Sequence, residues 1–219
     1  MGAITRSVAN NITTGGVILP AGINDASVAS VTALAQVSAG DGITLISSQT
    51  ASASSSISFT TGIDSTYRTY LFKFINIHPS ADGIFFQFNG STDGGSNYNI
   101  TKTTTLFQTY HDEADTATTL GYDSGRDLAQ STAYQPLAYG VGNANKECTS
   151  GYLYLFNPSS TTYVKHFIGN SNNYYYDNPY TIQENLSGYF NTTSAINAID
   201  FQFSSGNIDA GTIHMYGIE

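Results

Sequence analysis

The chain has 219 residues, 11% of them charged, with 7 Lys+Arg against 16 Asp+Glu and a formal net charge of −9. That length suits one β-sandwich with appendages or two small domains, and 16 Tyr with 12 Phe supply rings for a sizeable core, against general disorder. The lack of any basic run argues against a nucleic-acid partner, and no apolar run nears the roughly 20 residues of a membrane-spanning helix.

Residues 1–42 contain no aromatic residue. Ser, Thr, Ala, Asn, Gly and Val dominate, and Val28, Val31, Leu34 and Val37, spaced by three, suit one weak set of helical turns. Such a segment builds no core of its own. Ile4, Val8, Ile12, Val17, Ile18 and Leu19 are too apolar for a plain linker, so the expectation is a docking arm rather than a frayed tail. Gly40-Asp41-Gly42 breaks the chain and sets the boundary between an arm at 1–42 and a body at 43–219.

In the body, Ile43 to Ser48 reads as a strand, and Ile57 and Phe59 alternate in a second. The centrepiece is Tyr67 to Tyr98. Tyr70, Phe72 and Phe74 alternate with Leu71, Lys73 and Ile75, and Ile84, Phe86 and Phe88 repeat the period. With Pro79 and Asp82-Gly83 between them, the two runs read as a long hairpin. Thr92 to Gly95 is a turn. Tyr98 to Thr101 and Thr104 to His111 are two strands or one interrupted strand. Asp112 to Gln130 is an acidic loop with a short helix around 112–119.

Tyr134 to Val141, Tyr152 to Phe156 and Tyr163 to Gly169 are further strands. Asn170 to Pro179 is a second loop. Leu186 to Phe190, Ile196 to Phe203 and Thr212 to Ile218 close the body. Eight to ten strands with turn signals between them predict an all-β, antiparallel β-sandwich, jelly-roll-like, behind an extended N-terminal arm.

No constellation for chemistry stands out. The four His, at 78, 111, 166 and 214, have no metal-ligand spacing and no Cys beside them. His111, Asp112, Glu113 and Asp115 form the densest polar cluster, either a cation site or a solvated acidic loop. Cys148 is the only cysteine, a chance thiol with no disulfide partner in the chain. No Gly-x-Ser-x-Gly elbow occurs. Glu184 and Asp200 are too far apart in sequence to argue as a glycosidase pair, and Asp200 alternates outward beside Phe201. Sequons begin at Asn11, Asn89, Asn99, Asn185 and Asn191, coincidences of an Asn/Thr-rich composition.

Tyr174, Tyr175 and Tyr176 support two readings. Exposed, they give rigid amphipathic area for protein or sugar; on a strand, alternate rings pack inward. No basic region followed by an apolar core opens the sequence, so synthesis in a cytoplasm is expected, with export by lysis or inside a particle.

Four sets of residues resemble a known family. They are Met1 to Thr13, Thr44 to Thr60, the pair Tyr70 to Pro79 with Ser91 to Tyr98, and Ser204 to Ile218. Together they are similar to small virion structural proteins of tailed phages of aquatic bacteria. The resemblance covers most of the chain and carries no reaction with it. It implies a non-enzymatic β-sandwich on the particle surface, a head decoration (cement) protein docked on the capsid through its N-terminal arm. A short tail fibre or receptor-binding protein that recognises a host-surface glycan is the alternative. Other virion proteins are the implied partners, a homotrimer the implied assembly by analogy, the virion the location, and no cofactor is expected.

Overall fold

The computed structural model describes residues 42–219. The docking-arm residues Ile4, Val8, Ile12, Val17, Ile18 and Leu19 therefore lie outside the described residues. Twelve strands follow: β1 (Ile43–Thr50), β2 (Ile57–Phe59), β3 (Thr69–Pro79), β4 (Ile84–Ser91), β5 (Lys102–Asp112) and β6 (Thr118–Tyr122) in the first half. The second half holds β7 (Gln135–Val141), β8 (Thr149–Phe156), β9 (Lys165–Tyr174), β10 (Tyr180–Phe190), β11 (Ala198–Phe203) and β12 (Ile208–Ile218). One sheet has eight strands in the order β1-β12-β3-β8-β9-β10-β5-β6, the other four in the order β2-β11-β4-β7. Every pairing is antiparallel, and the two sheets pack as a sandwich.

Phenylalanines fill the space between the layers. Phe72 and Phe74 of β3 and Phe167 of β9 meet Phe86 and Phe88 of β4 and Phe201 of β11, all at most 1% exposed. Ring centroids lie 5.2 Å apart for Phe74–Phe86 and for Phe88–Phe167, edge to face, as aromatic quadrupoles prefer.

This packing corrects the hairpin reading of Tyr67 to Tyr98. β3 pairs with β12 and β8, whereas β4 pairs with β11 and β7 in the other sheet. The two runs form an arch, not a hairpin. Both carry rings on one face at period two, and those faces bury each other across the layers. Gly83, at φ +67°, makes the turn between them.

Two other expectations change, and a third holds with a difference. Among the described residues there is no helix at 112–119. The Asp112 carboxylate instead accepts from the Thr116 and Ala117 amides, both at 2.8 Å, and the chain turns straight into β6. The segment 170–174 is not a loop but the end of β9. Asp200 does point away from the interlayer core, as alternation requires. It is nevertheless 2% exposed, covered by Ser58, whose hydroxyl donates at 2.5 Å, and by the Tyr134 hydroxyl at 3.0 Å.

Candidate functional site

The three consecutive tyrosines part company. Tyr174 ends β9, and its hydroxyl accepts from Lys146 Nζ at 2.8 Å. Tyr175 bridges to Val141 of β7 and sits in a run of rings: Phe85–Tyr139 at 5.4 Å, Tyr139–Tyr175 at 5.6 Å, Tyr175–Tyr180 at 6.0 Å and Tyr180–Tyr110 at 5.1 Å. Gly140, at φ +62°, is required there, because a Cβ would overlap the Tyr175 ring. Burial raises the Tyr175 phenol above its ordinary value. Tyr176 packs edge-on to Tyr175 and is 38% exposed. The inward reading thus fits Tyr175, and the exposed one fits Tyr176.

Beside this run lies a charge cluster that the sequence did not suggest. Arg126, in the segment joining β6 to β7, donates through Nη1 to Glu184 Oε1 at 2.6 Å and through Nη2 to Gln108 Oε1 at 2.7 Å and to Asp123. Its guanidinium lies 4.0 Å from the centre of the Tyr139 ring. The Arg126 side chain is 9% exposed and that of Glu184 1%. Arg126 thus ties β5 and β10 of the larger sheet to β7 of the smaller. One guanidinium faces two carboxylates, so one negative charge is in excess. Burial drives the Glu184 carboxyl up to about 7, against the pull of Arg126. A cleft of about 430 Å³ opens here, lined by Asp123, Arg126 and Tyr139 but not by Glu184, which lies behind the guanidinium. The arrangement suits locking the two layers together.

On the outer surface of the larger sheet, side chains meet in a grid. Cross-strand register puts Tyr174, Thr181 and His111 in one row and Asn172, Gln183 and Thr109 in the next. Hollows of about 270 Å³ and 180 Å³ share His111, Asn172 and Thr181, so they form one continuous trough across β9, β10 and β5. The Asn172 amide donates to Thr181 Oγ1 at 2.7 Å and to the Ile182 carbonyl at 3.0 Å. The Gln183 side chain is exposed and engaged by no hydrogen bond among the described residues. An alternation of outward polar residues, Asn170 and Asn172 with Gln183 and Asn185, was the signal for this surface. Asn is poor in strands, and the stretch reads as a loop for that reason.

The polar cluster at His111 is consumed locally. Asp112 caps its own turn, and the imidazole Nε2 lies 3.0 Å from Asp115. Among the described residues, no three His, Cys, Asp or Glu side chains gather to hold a metal ion. Burial pushes the Cys148 thiol up, away from reactive thiolate. Asn89 is buried, with its amide donating to the Tyr98 and Thr132 carbonyls, which leaves that sequon closed to modification.

No family model matches the chain, and neither a curated protein nor a solved structure matches it.

Proposed function

We propose that this chain is a non-enzymatic structural protein of a tailed-phage virion, a surface β-sandwich docked on the capsid as a decoration or cement protein. The observation that carries the reading is where the family-like stretches fall. Thr44 to Thr60, Tyr70 to Pro79 and Ser204 to Ile218 supply β1, β3 and β12, three adjacent strands of the larger sheet, and the first of them also supplies β2 of the smaller. Their outward side chains Ile43, Leu45 and Ile75 stay 60%, 54% and 39% exposed, and Tyr152 and Ile168 on β8 and β9 are exposed on the same sheet. Contiguous exposed apolar surface is a mark of interaction sites. The buried carboxylates Glu184 and Asp200 have structural partners, which also suits a protein that holds rather than reacts.

In this reading residues 1–42 attach the body to the particle, as a trimer by analogy with other surface proteins of virions. The full-length protein should incorporate into particles, whereas a chain lacking residues 1–40 should fold and stay off them. Full occupancy by the truncated chain, measured on purified virions, sinks the docking role of the arm. Particles without the protein should be fragile yet infectious if it is a cement. Abolished adsorption would assign it to a tail fibre instead. A cryo-EM map of the whole virion decides between head and tail.

A further inference from the structure

We infer that the trough across the outer face of β9, β10 and β5 is a binding site for a neutral saccharide. This goes beyond the virion reading and stands whether the chain sits on head or tail.

The main-chain groups of β9, β10 and β5 along the trough are committed to the ladder. A peptide therefore cannot add here as a strand, and a ligand meets side chains only. Those are amides and hydroxyls, Asn172, Gln183, Thr109 and Thr181, with Tyr174 and His111 at one end. Each amide offers donors and an acceptor, and each hydroxyl offers both. Neighbouring hydroxyls on a sugar ring also donate and accept, so the two sets are complementary. Gln183 has its amide uncommitted among the described residues, and Asn172 Nδ2 is already held by Thr181, which fixes its carbonyl oxygen in place. Tyr174 lines the same hollow, its hydroxyl held by Lys146 and its ring 4.4 Å from that ammonium, so this end is closed by a fixed side chain.

Charge selects within that class. Among the described residues no Lys or Arg lines either hollow, although Lys146 meets the Tyr174 hydroxyl at one end, while Asp112 and Glu113 line one of them. With a net charge of −9 on the chain, an anionic sugar is disfavoured at long range. The tyrosine run reaches the trough through Tyr180 and Tyr110, whereas Tyr175 itself lines neither hollow and packs among rings.

The test uses the full chain and saturation-transfer NMR, with cellohexaose, maltohexaose and chitohexaose as neutral probes and oligogalacturonate as the anionic one. At least one neutral probe should receive saturation, and oligogalacturonate should not. Gln183→Ala and Asn172→Ala should each weaken that binding about tenfold, the loss of one or two hydrogen bonds. Gln183 is exposed, so its variant should melt as the parent does, and Tyr175→Ala should leave binding in place. The inference fails if no neutral probe binds, if binding survives both trough substitutions, if only Tyr175→Ala removes it, or if oligogalacturonate binds as well. None of these outcomes touches the particle-incorporation test.

Discussion

The two ends of β5 meet the same difficulty, a charge inside the sandwich, and answer it differently. At its start Lys102 is fully buried, and its ammonium donates to one backbone carbonyl, that of Ala133, at 2.5 Å, with the Phe190 ring 5.9 Å away. Among the described residues no carboxylate forms an ion pair with it. Burial alone pulls its ammonium down to about 7. Toward the other end, Gln108 joins Arg126, Asp123 and Glu184 in a network in which each charge has a partner. The contrast teaches that partners offset the cost of a buried charge without cancelling it, since Glu184 is still driven up to about 7 beside Arg126. The Lys102 end tolerates loss of its charge; the Arg126 end does not.

The largest effect should come from breaking the paired end. Arg126→Met strands Glu184 and Asp123 without a cation and should cost about 3–5 kcal/mol in urea unfolding at neutral pH. Adding Glu184→Gln to it should recover part of that loss, because the pair acts as one unit. Equal losses in the single and double variants would show that the guanidinium acts by packing on Tyr139 alone.

The unpaired end should respond with the opposite sign. Lys102→Met should stabilise the protein by about 2 kcal/mol at neutral pH, since it removes the cost of an unpaired ammonium and keeps the buried stem. The pH profile separates the two ends. Lys102 is depressed in the fold from 10.5 to about 7, so the unfolded chain binds the extra proton between those values and stability rises across that window. Glu184 is raised from 4.5 to about 7, so the fold binds the extra proton and its contribution is lost as pH rises through that range. Together they set a stability minimum near pH 7. Urea midpoints at pH 5, 7 and 9 should show it. Lys102→Met should flatten the alkaline limb and Glu184→Gln the acid limb; a monotonic profile would refute the assignment.

The smallest effect sharpens the rule. Lys165 is also buried, but its ammonium donates to two carbonyls, Tyr163 at 2.9 Å and Thr192 at 3.2 Å. Lys165→Met should gain less than Lys102→Met, under about 1 kcal/mol. A larger gain would mean that backbone carbonyls do not compensate an ammonium.

The class of fold was legible because period-two alternation names which residues share a face. Phe72, Phe74, Phe86 and Phe88 all went to the core as the pattern requires. Alternation does not name the partner strand, so β3 and β4 read as neighbours when they belong to opposite layers. The candidate site was less legible. Tyr174 to Tyr176 drew attention by repetition, yet their three fates depend on Gly140, Lys146 and Val141, all distant in sequence. Arg126 meets Gln108 and Glu184 across 18 and 58 residues, a separation that no local motif encodes. The outward face of Asp200 was readable; its covering by Tyr134 was not.

β12 lies between β1 and β3, pairing Ile218 with both Ile43 and Thr69. The nascent chain thus carries its first and third strands with an empty lane between them until residues 208–218 have left the ribosome. Closure of the larger sheet is a late event over a very long loop, and such closures are slow. While it waits, β3 displays the unpaired main-chain edge that β12 later fills, so overproduction in a foreign host should yield inclusion bodies more readily at high synthesis rates than at low ones.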